Sequence, residues 1–195
     1  MRFLPGLICL LPLLSPLAHA ELIDDVYDRG ELRIALEANT PPFNFKDDGK
    51  LSGFEVELGQ LLANELDVRA EFVVVEAAEL LPGVESGKYD IAINHIAMTP
   101  ELKDRFDFSE PYTFAETQVV AQQDQPPRSI LLVQSLAEDK PQPGPTVGLA
   151  IPFQKGNPAF HTSLGSAMQR IKADGRLEAL SKKWLGADKS VEPKT

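Results

Sequence analysis

The chain has 195 residues, with 19 basic against 29 acidic side chains, a formal net charge of −10 and a single cysteine, Cys9. So acidic a balance argues against nucleic acid or anionic lipid as a partner and favours a soluble, diffusing protein. The length fits one domain with a sizeable core.

Residues 1–20, MRFLPGLICLLPLLSPLAHA, carry one early cation (Arg2), a leucine-rich apolar run and a closing Ala18-His19-Ala20. That is the layout of a cleaved secretory signal, with the cut before Glu21, so the mature protein is expected in the periplasm. The run holds Pro5, Pro12 and Pro16 and is too short for a membrane span. Cleavage removes Cys9, leaving neither disulfide nor thiol chemistry. No other stretch could span a membrane.

The first expected strand is Leu32-Arg-Ile-Ala-Leu36. A helix follows over FEVELGQLLANEL, where Phe54, Leu58, Leu61, Leu62 and Leu66 share one face. Phe72-Val-Val-Val75 reads as a second strand, AAELLPGVESG as a weaker helix interrupted by Pro82, and Asp90-Ile-Ala-Ile93 as a third strand. This alternation predicts an α/β fold: a doubly wound, mostly parallel sheet flanked by helices, in a single lobe.

From about 123 to 146 the chain changes character, with Pro126, Pro127, Pro141, Pro143 and Pro145 around one apolar run, Ile130-Leu-Leu-Val133. It reads as a connector. Beyond it, Asn157-Pro158 opens a helix with the stripe Phe160, Leu164, Ala167, Met168 and Ile171, expected to end at Gly175. A last helix carries Leu177, Leu180 and Trp184 to Gly186, and 187–195 reads as a flexible tail.

Ligands of open parallel sheets gather at the carboxyl ends of the strands. Those ends carry Glu37, Asn39, Asn94 and His95, and a helix starting at Thr99-Pro100 would add a hydroxyl cap and free N–H groups nearby. Glu37 would suit an ammonium group. Thr99 as a plain helix cap and His95 as a solvated loop histidine are the plainer alternatives. The mature chain would keep only His95 and His161, in unrelated segments, so neither a metal nor another cofactor is expected. No nucleophile elbow, Walker loop or dinucleotide fingerprint occurs, and the carboxylates are dispersed, so no catalytic residues are assigned.

The run PPFNFKDDGKLSGFEVELGQLLANEL (41–66), with Gly53-Phe54-Glu55-Val56-Glu57-Leu58 at its heart, resembles the signature of bacterial extracellular solute-binding proteins of the polar amino-acid type, family 3. LRIAL (32–36), ESGKYDIAI (85–93), FSEPY (108–112) and KADGRLEALSKKWLG (172–186) resemble the same family in the same order. The resemblance implies a two-lobed flytrap that clamps a small ligand for an ABC importer or a sensor. Its crossing strands are similar to Thr117–Ala121 and Thr146–Ile151. Residues 21–123 and 146–186 match lobe one, and 124–145 stand where lobe two should be, so residues 21–186 are expected to form one lobe.

The resemblance also implies ligand-shell positions. An acidic residue is kept as Glu37; a stacking aromatic is replaced by Thr40; small hydroxyl or glycine residues by Asn94, His95 and Ala97; and the arginine that grips a ligand carboxylate by Leu102. Leucine cannot make that bidentate pair. Three functions compete. The first is a non-enzymatic single-lobed module with an eroded site, binding weakly or serving a periplasmic protein partner as adaptor or sensor. The second is a working receptor for an amino acid or amine beside an ABC permease, through a shallow site of Glu37, Phe43, Phe45, Asn94 and Thr99. The third is a dehydratase on the same scaffold, which would need a general acid and a carboxylate clamp across a closed cleft. A swapped homodimer through Ile130–Val133 would bury that apolar run.

Overall fold

The computed structural model describes residues 21–119 and 142–193. The expected signal peptide, the Ile130–Val133 run and most of the connector lie outside the described residues.

Helix α1 (Leu22–Arg29) leads into strand β1 (Glu31–Leu36). A small antiparallel ribbon follows, β2 (Asn39–Thr40), β3 (Asn44–Asp47) and β4 (Lys50–Ser52), and then α2 (Phe54–Glu65), β5 (Arg69–Val74), α3 (Ala77–Glu85) and β6 (Ile91–Ala92). The main sheet has the order β5-β1-β6-β10-β7, with β7 at Phe106–Phe108 and β10 at Pro152–Gln154. β1 runs parallel to both β5 and β6, and β10 alone runs against its neighbours. The sheet is therefore mostly parallel, as the alternation implies.

The β1–α2–β5 and β5–α3–β6 crossovers run in opposite directions across the sheet, so right-handed connections place α2 and α3 on opposite faces. The strand residues obey this. Leu32 and Ile34 of β1 and Ile91 of β6 turn toward one cluster with α1, α2, α5 (Pro158–Ala173) and α6 (Arg176–Leu185). Ala35 and Ala92 turn the other way, to Leu80, Val84, Tyr89, Phe106 and Phe108. The α2 stripe is buried at Phe54, Leu58, Leu62 and Leu66, and the α5 stripe at all five expected positions.

Four local expectations are corrected. Asn157 sits at the N-cap of α5 but makes no capping bond; its Oδ1 accepts the Leu22 N–H at 2.9 Å, tying α1 to α5. The tail expected to be flexible is stitched down as far as Lys189, whose carbonyl accepts the Phe114 N–H and the Thr113 hydroxyl, each at 3.0 Å. The returning strand, expected from Thr146, starts earlier: β9 spans Gln142–Leu149 and takes in Pro143 and Pro145. It pairs antiparallel with β8 (Thr113–Val119), which starts before the expected Thr117. The short strands β2 to β4, β7 and β10 carry too few residues for a sequence period to reveal them.

The ribbon of β8 and β9 meets the sheet at its carboxyl edge. Ala97 bridges Leu149, and the Ala150 N–H donates to Ile96 O at 3.0 Å. The chain from Asn94 to Thr99 is thereby held along the rim.

Candidate functional site

The rim is braced from below by Asn44 and Glu55, both fully buried. Gly53 makes this possible. It has φ 126°, and a Cβ there would lie 2.3 Å from the Phe43 carbonyl oxygen. Without that side chain the ribbon closes on the start of α2, where the Phe54 and Glu55 N–H groups donate to Pro42 O (3.0 Å) and Phe43 O (2.8 Å). Glu55 thus enters the interior from the first turn of a helix, a position favourable to a carboxylate.

The Glu55 carboxylate accepts the Tyr112 hydroxyl at 2.6 Å, the Asn44 amide and the His95 N–H. Asn44 also donates to Asn94 Oδ1 at 3.1 Å and accepts the Ala38 N–H at 2.8 Å. Asn94 accepts the Glu37 N–H at 3.0 Å and donates to Glu37 Oε2 at 2.8 Å. One continuous network therefore runs from Tyr112, deep in the core, up to Glu37 at the surface.

It also fixes the rim backbone. Ala38 and His95 have φ of 65° and 42°, left-handed values that L side chains rarely adopt. Each has its N–H taken by a buried side chain, Asn44 or Glu55, which offsets the strain. Burial first, and then the Glu55 charge, hold the Tyr112 phenol well above its ordinary pKa.

Among the sequence candidates, Glu37, Asn39, Asn94 and His95 do converge. Asn39 donates to Glu37 Oε1 at 3.4 Å. The His95 ring lies 5.6 Å from that of Phe43, tilted by 39°. Its Nδ1 is buried without a hydrogen-bond partner, 3.8 Å from Glu55 Oε2. His95 is thus packed and not a solvated loop residue.

Phe45 stands opposite Asn39 in the ribbon, but its ring meets Trp184 edge-on at 5.9 Å, on the α6 side. It braces the ribbon more than it lines the rim. Thr99 is the N-cap of α4 (Pro100–Arg105), and its hydroxyl accepts the Leu102 N–H at 3.4 Å. The expected free N–H groups there are partly used: Glu101 bonds its own N–H and the Thr99 hydroxyl, which lowers its pKa. Leu102 packs onto the second apolar cluster. Asn44, Glu55 and Tyr112 were not among the sequence candidates. The one signal for Glu55 was its place at the margin of the buried α2 stripe, just after Gly53.

A polar rim at the carboxyl ends of parallel strands, braced by buried hydrogen bonds, is how an α/β lobe holds a small ligand. The chain belongs to the bacterial extracellular solute-binding proteins, family 3, which it matches over residues 32–187. It is 40% identical over 104 residues to the L-cystine-binding protein TcyJ of Escherichia coli K12, a stretch covering 53% of this chain and 39% of that protein. The chain therefore spans about two-fifths of that curated relative's length.

The unliganded, open L-cystine solute receptor of Neisseria gonorrhoeae has a similar structure, with TM-score 0.71 and 23% identity over 89% of this chain and 100% of that one. An arginine-bound form of domain 1 from TmArgBP aligns with TM-score 0.58 and 24% identity over 77% of this chain and 98% of that one. At such identities these likenesses establish the fold. No helix among the described residues is long and apolar enough to cross a membrane.

Proposed function

We propose that this chain is a non-enzymatic periplasmic binding module of family 3, reduced to one lobe, whose rim holds a small polar ligand weakly or serves a protein partner as adaptor or sensor. The observation that carries this reading is the partly exposed Glu37–Asn39 rim standing on the buried Asn44–Glu55 brace. Residues 120–141 leave too little chain between β8 and β9 for a second lobe like the first. A pocket with one wall buries much less of its ligand than a closed cleft. That domain 1 from TmArgBP is described in an arginine-bound form supports ligand holding by a single lobe.

Calorimetric titration of the full chain against a panel of amino acids and amines tests the ligand half. Heats at millimolar but not micromolar ligand are expected; silence throughout would remove it and leave only the partner reading. A tight, micromolar response would instead favour the second reading, a working receptor beside an ABC permease, which the likeness to TcyJ supports. A dehydratase finds less support, because the described rim presents no carboxylate clamp facing an acid across a cleft.

A further inference from the structure

The rim carries carboxylate charge, and its amide donors, Asn39 and Asn94, are turned onto Glu37. Glu37 presents its carboxylate, and the buried Glu55 lies three hydrogen bonds beneath it, through Asn44 and Asn94. Every contact that Glu55 makes within hydrogen-bond distance comes from a donor, as an acceptor-only carboxylate requires. Among the described residues no lysine or arginine answers these two groups. Arg105 is committed to Glu85, at 2.6 and 3.2 Å, and Lys103 lines a different hollow with Asp107, Lys155 and His161. The His95 Nδ1 faces Glu55 at 3.8 Å, inward from the rim.

Among the described residues, the feature near the rim suited to an anion, the start of α4, is already taken. The first turn of α4 and the Thr99 hydroxyl are engaged by the chain's own Glu101 and Leu102. A ligand carboxylate arriving at this rim would find Glu101 in its place and Glu37 opposing it, with no cation to receive it. An ammonium or guanidinium would find the reverse: the Glu37 carboxylate, and beside it the Asn39 Oδ1, which accepts the Thr40 hydroxyl at 2.9 Å and keeps a second lone pair.

We infer that the rim selects a small organic cation that carries no carboxylate, an alkylammonium or alkylguanidinium, over the corresponding zwitterionic amino acid. This rests on the rim being a ligand site, as proposed above. The selectivity is a difference in charge at one end of the ligand, so matched pairs isolate it: agmatine against arginine, and cadaverine against lysine.

Calorimetric titration of the full chain at low salt should find agmatine and cadaverine binding at least roughly tenfold more tightly than arginine and lysine. Glu37→Gln, with an unchanged thermal midpoint, should lower agmatine affinity by roughly tenfold, the usual weight of one charge-assisted hydrogen bond. Arginine binding as tightly as agmatine, or more so, overturns the inference and leaves the ligand site standing. Silence from all four compounds at millimolar concentration overturns both. Should Glu37→Gln fail to fold, the matched pairs on the unaltered chain decide alone.

Discussion

Among the described residues two carboxylates are fully buried, one near each end of β6, and they are satisfied in opposite ways. Asp90, just before the strand, is met by two guanidinium groups: Arg29 Nη2 at 2.6 Å and Arg33 Nη2 at 2.8 Å, with the Arg33 N–H adding a bond at 2.8 Å. Its hydrogen bond in turn raises the Arg33 pKa. Glu55, below the strand's carboxyl end, is met only by a phenol, an amide and a backbone N–H, with the His95 imidazole standing off at 3.8 Å. The amino end of the sheet is closed by cations, whereas the carboxylate at the carboxyl end has no lysine or arginine partner among the described residues. At an effective dielectric of about 20, a unit charge some 8 Å away still feels roughly 2 kcal/mol. A binding lobe gains from having its unbalanced end where ligands arrive.

The contrast predicts which carboxylate the fold can less well lose. Glu55→Ala strands donors on Tyr112 and Asn44, both at 0% exposure, where water cannot replace the lost partner. We expect a loss of about 4 kcal/mol, from one to three for each such group. Asp90→Ala strands Arg29 and Arg33, whose side chains are 32% and 26% exposed and can turn to solvent. Its cost should be nearer 2 kcal/mol, below the usual figure for a broken buried pair. Urea unfolding at neutral pH gives both values, and a larger loss for Asp90→Ala than for Glu55→Ala would reverse the comparison.

Tyr112→Phe is a finer cut. It removes one charge-assisted donor from Glu55 and keeps the ring that packs on Phe54, so about 1.5 kcal/mol is expected. The same hydroxyl gives an alkaline signature. Its folded pKa lies above the ordinary 10.0, so the unfolded chain releases that proton first. The associated stability is fully present below pH 10.0 and is lost as pH rises toward the folded value. A midpoint that falls above pH 10 in the parent protein but less steeply in Tyr112→Phe would fit. Parallel curves would show that burial and Glu55 do not hold the folded Tyr112 phenol above its ordinary range.

The amino-acid order carried the sheet and helices because their apolar periods are long and regular. The stripe from Phe54 to Leu66 and that from Phe160 to Ile171 each fix one buried face, and both are found buried save Leu61, which is half-buried at the edge. The polar brace was less legible. Asn44 sits between two phenylalanines in a four-residue strand, and Glu55 is one of several acids around α2; a single buried polar residue leaves no period. Asn157 shows the same limit. Its place before Pro158 marks the helix start, but its side chain answers Leu22, 135 positions away in the chain. Rim membership followed from strand ends, which is why Glu37, Asn39, Asn94 and His95 were readable while the residues holding them were not.

The smallest effect belongs to charge pairs that water reaches. Hydrogen bonds from Arg170 and then Arg176 lower the Glu65 pKa, and Arg105 does the same for Glu85. A carboxylate with a depressed folded pKa contributes stability that is present above its unfolded value and is lost as the pH falls through the folded one. For these two the loss should begin near pH 4.5 and continue below it. Because the pairs are solvated, added salt should shrink the effect, whereas the loss from Glu55→Ala, a matter of stranded donors and not of long-range charge, should change little with salt. Midpoints for the parent protein and Glu65→Gln, measured from pH 6 to pH 3 at low and high salt, test this. The variant should show a flatter acid limb at low salt that merges with the parent curve at high salt. A salt-independent gap between the two would mean that Glu65 acts through packing between α2 and α6 and not through charge.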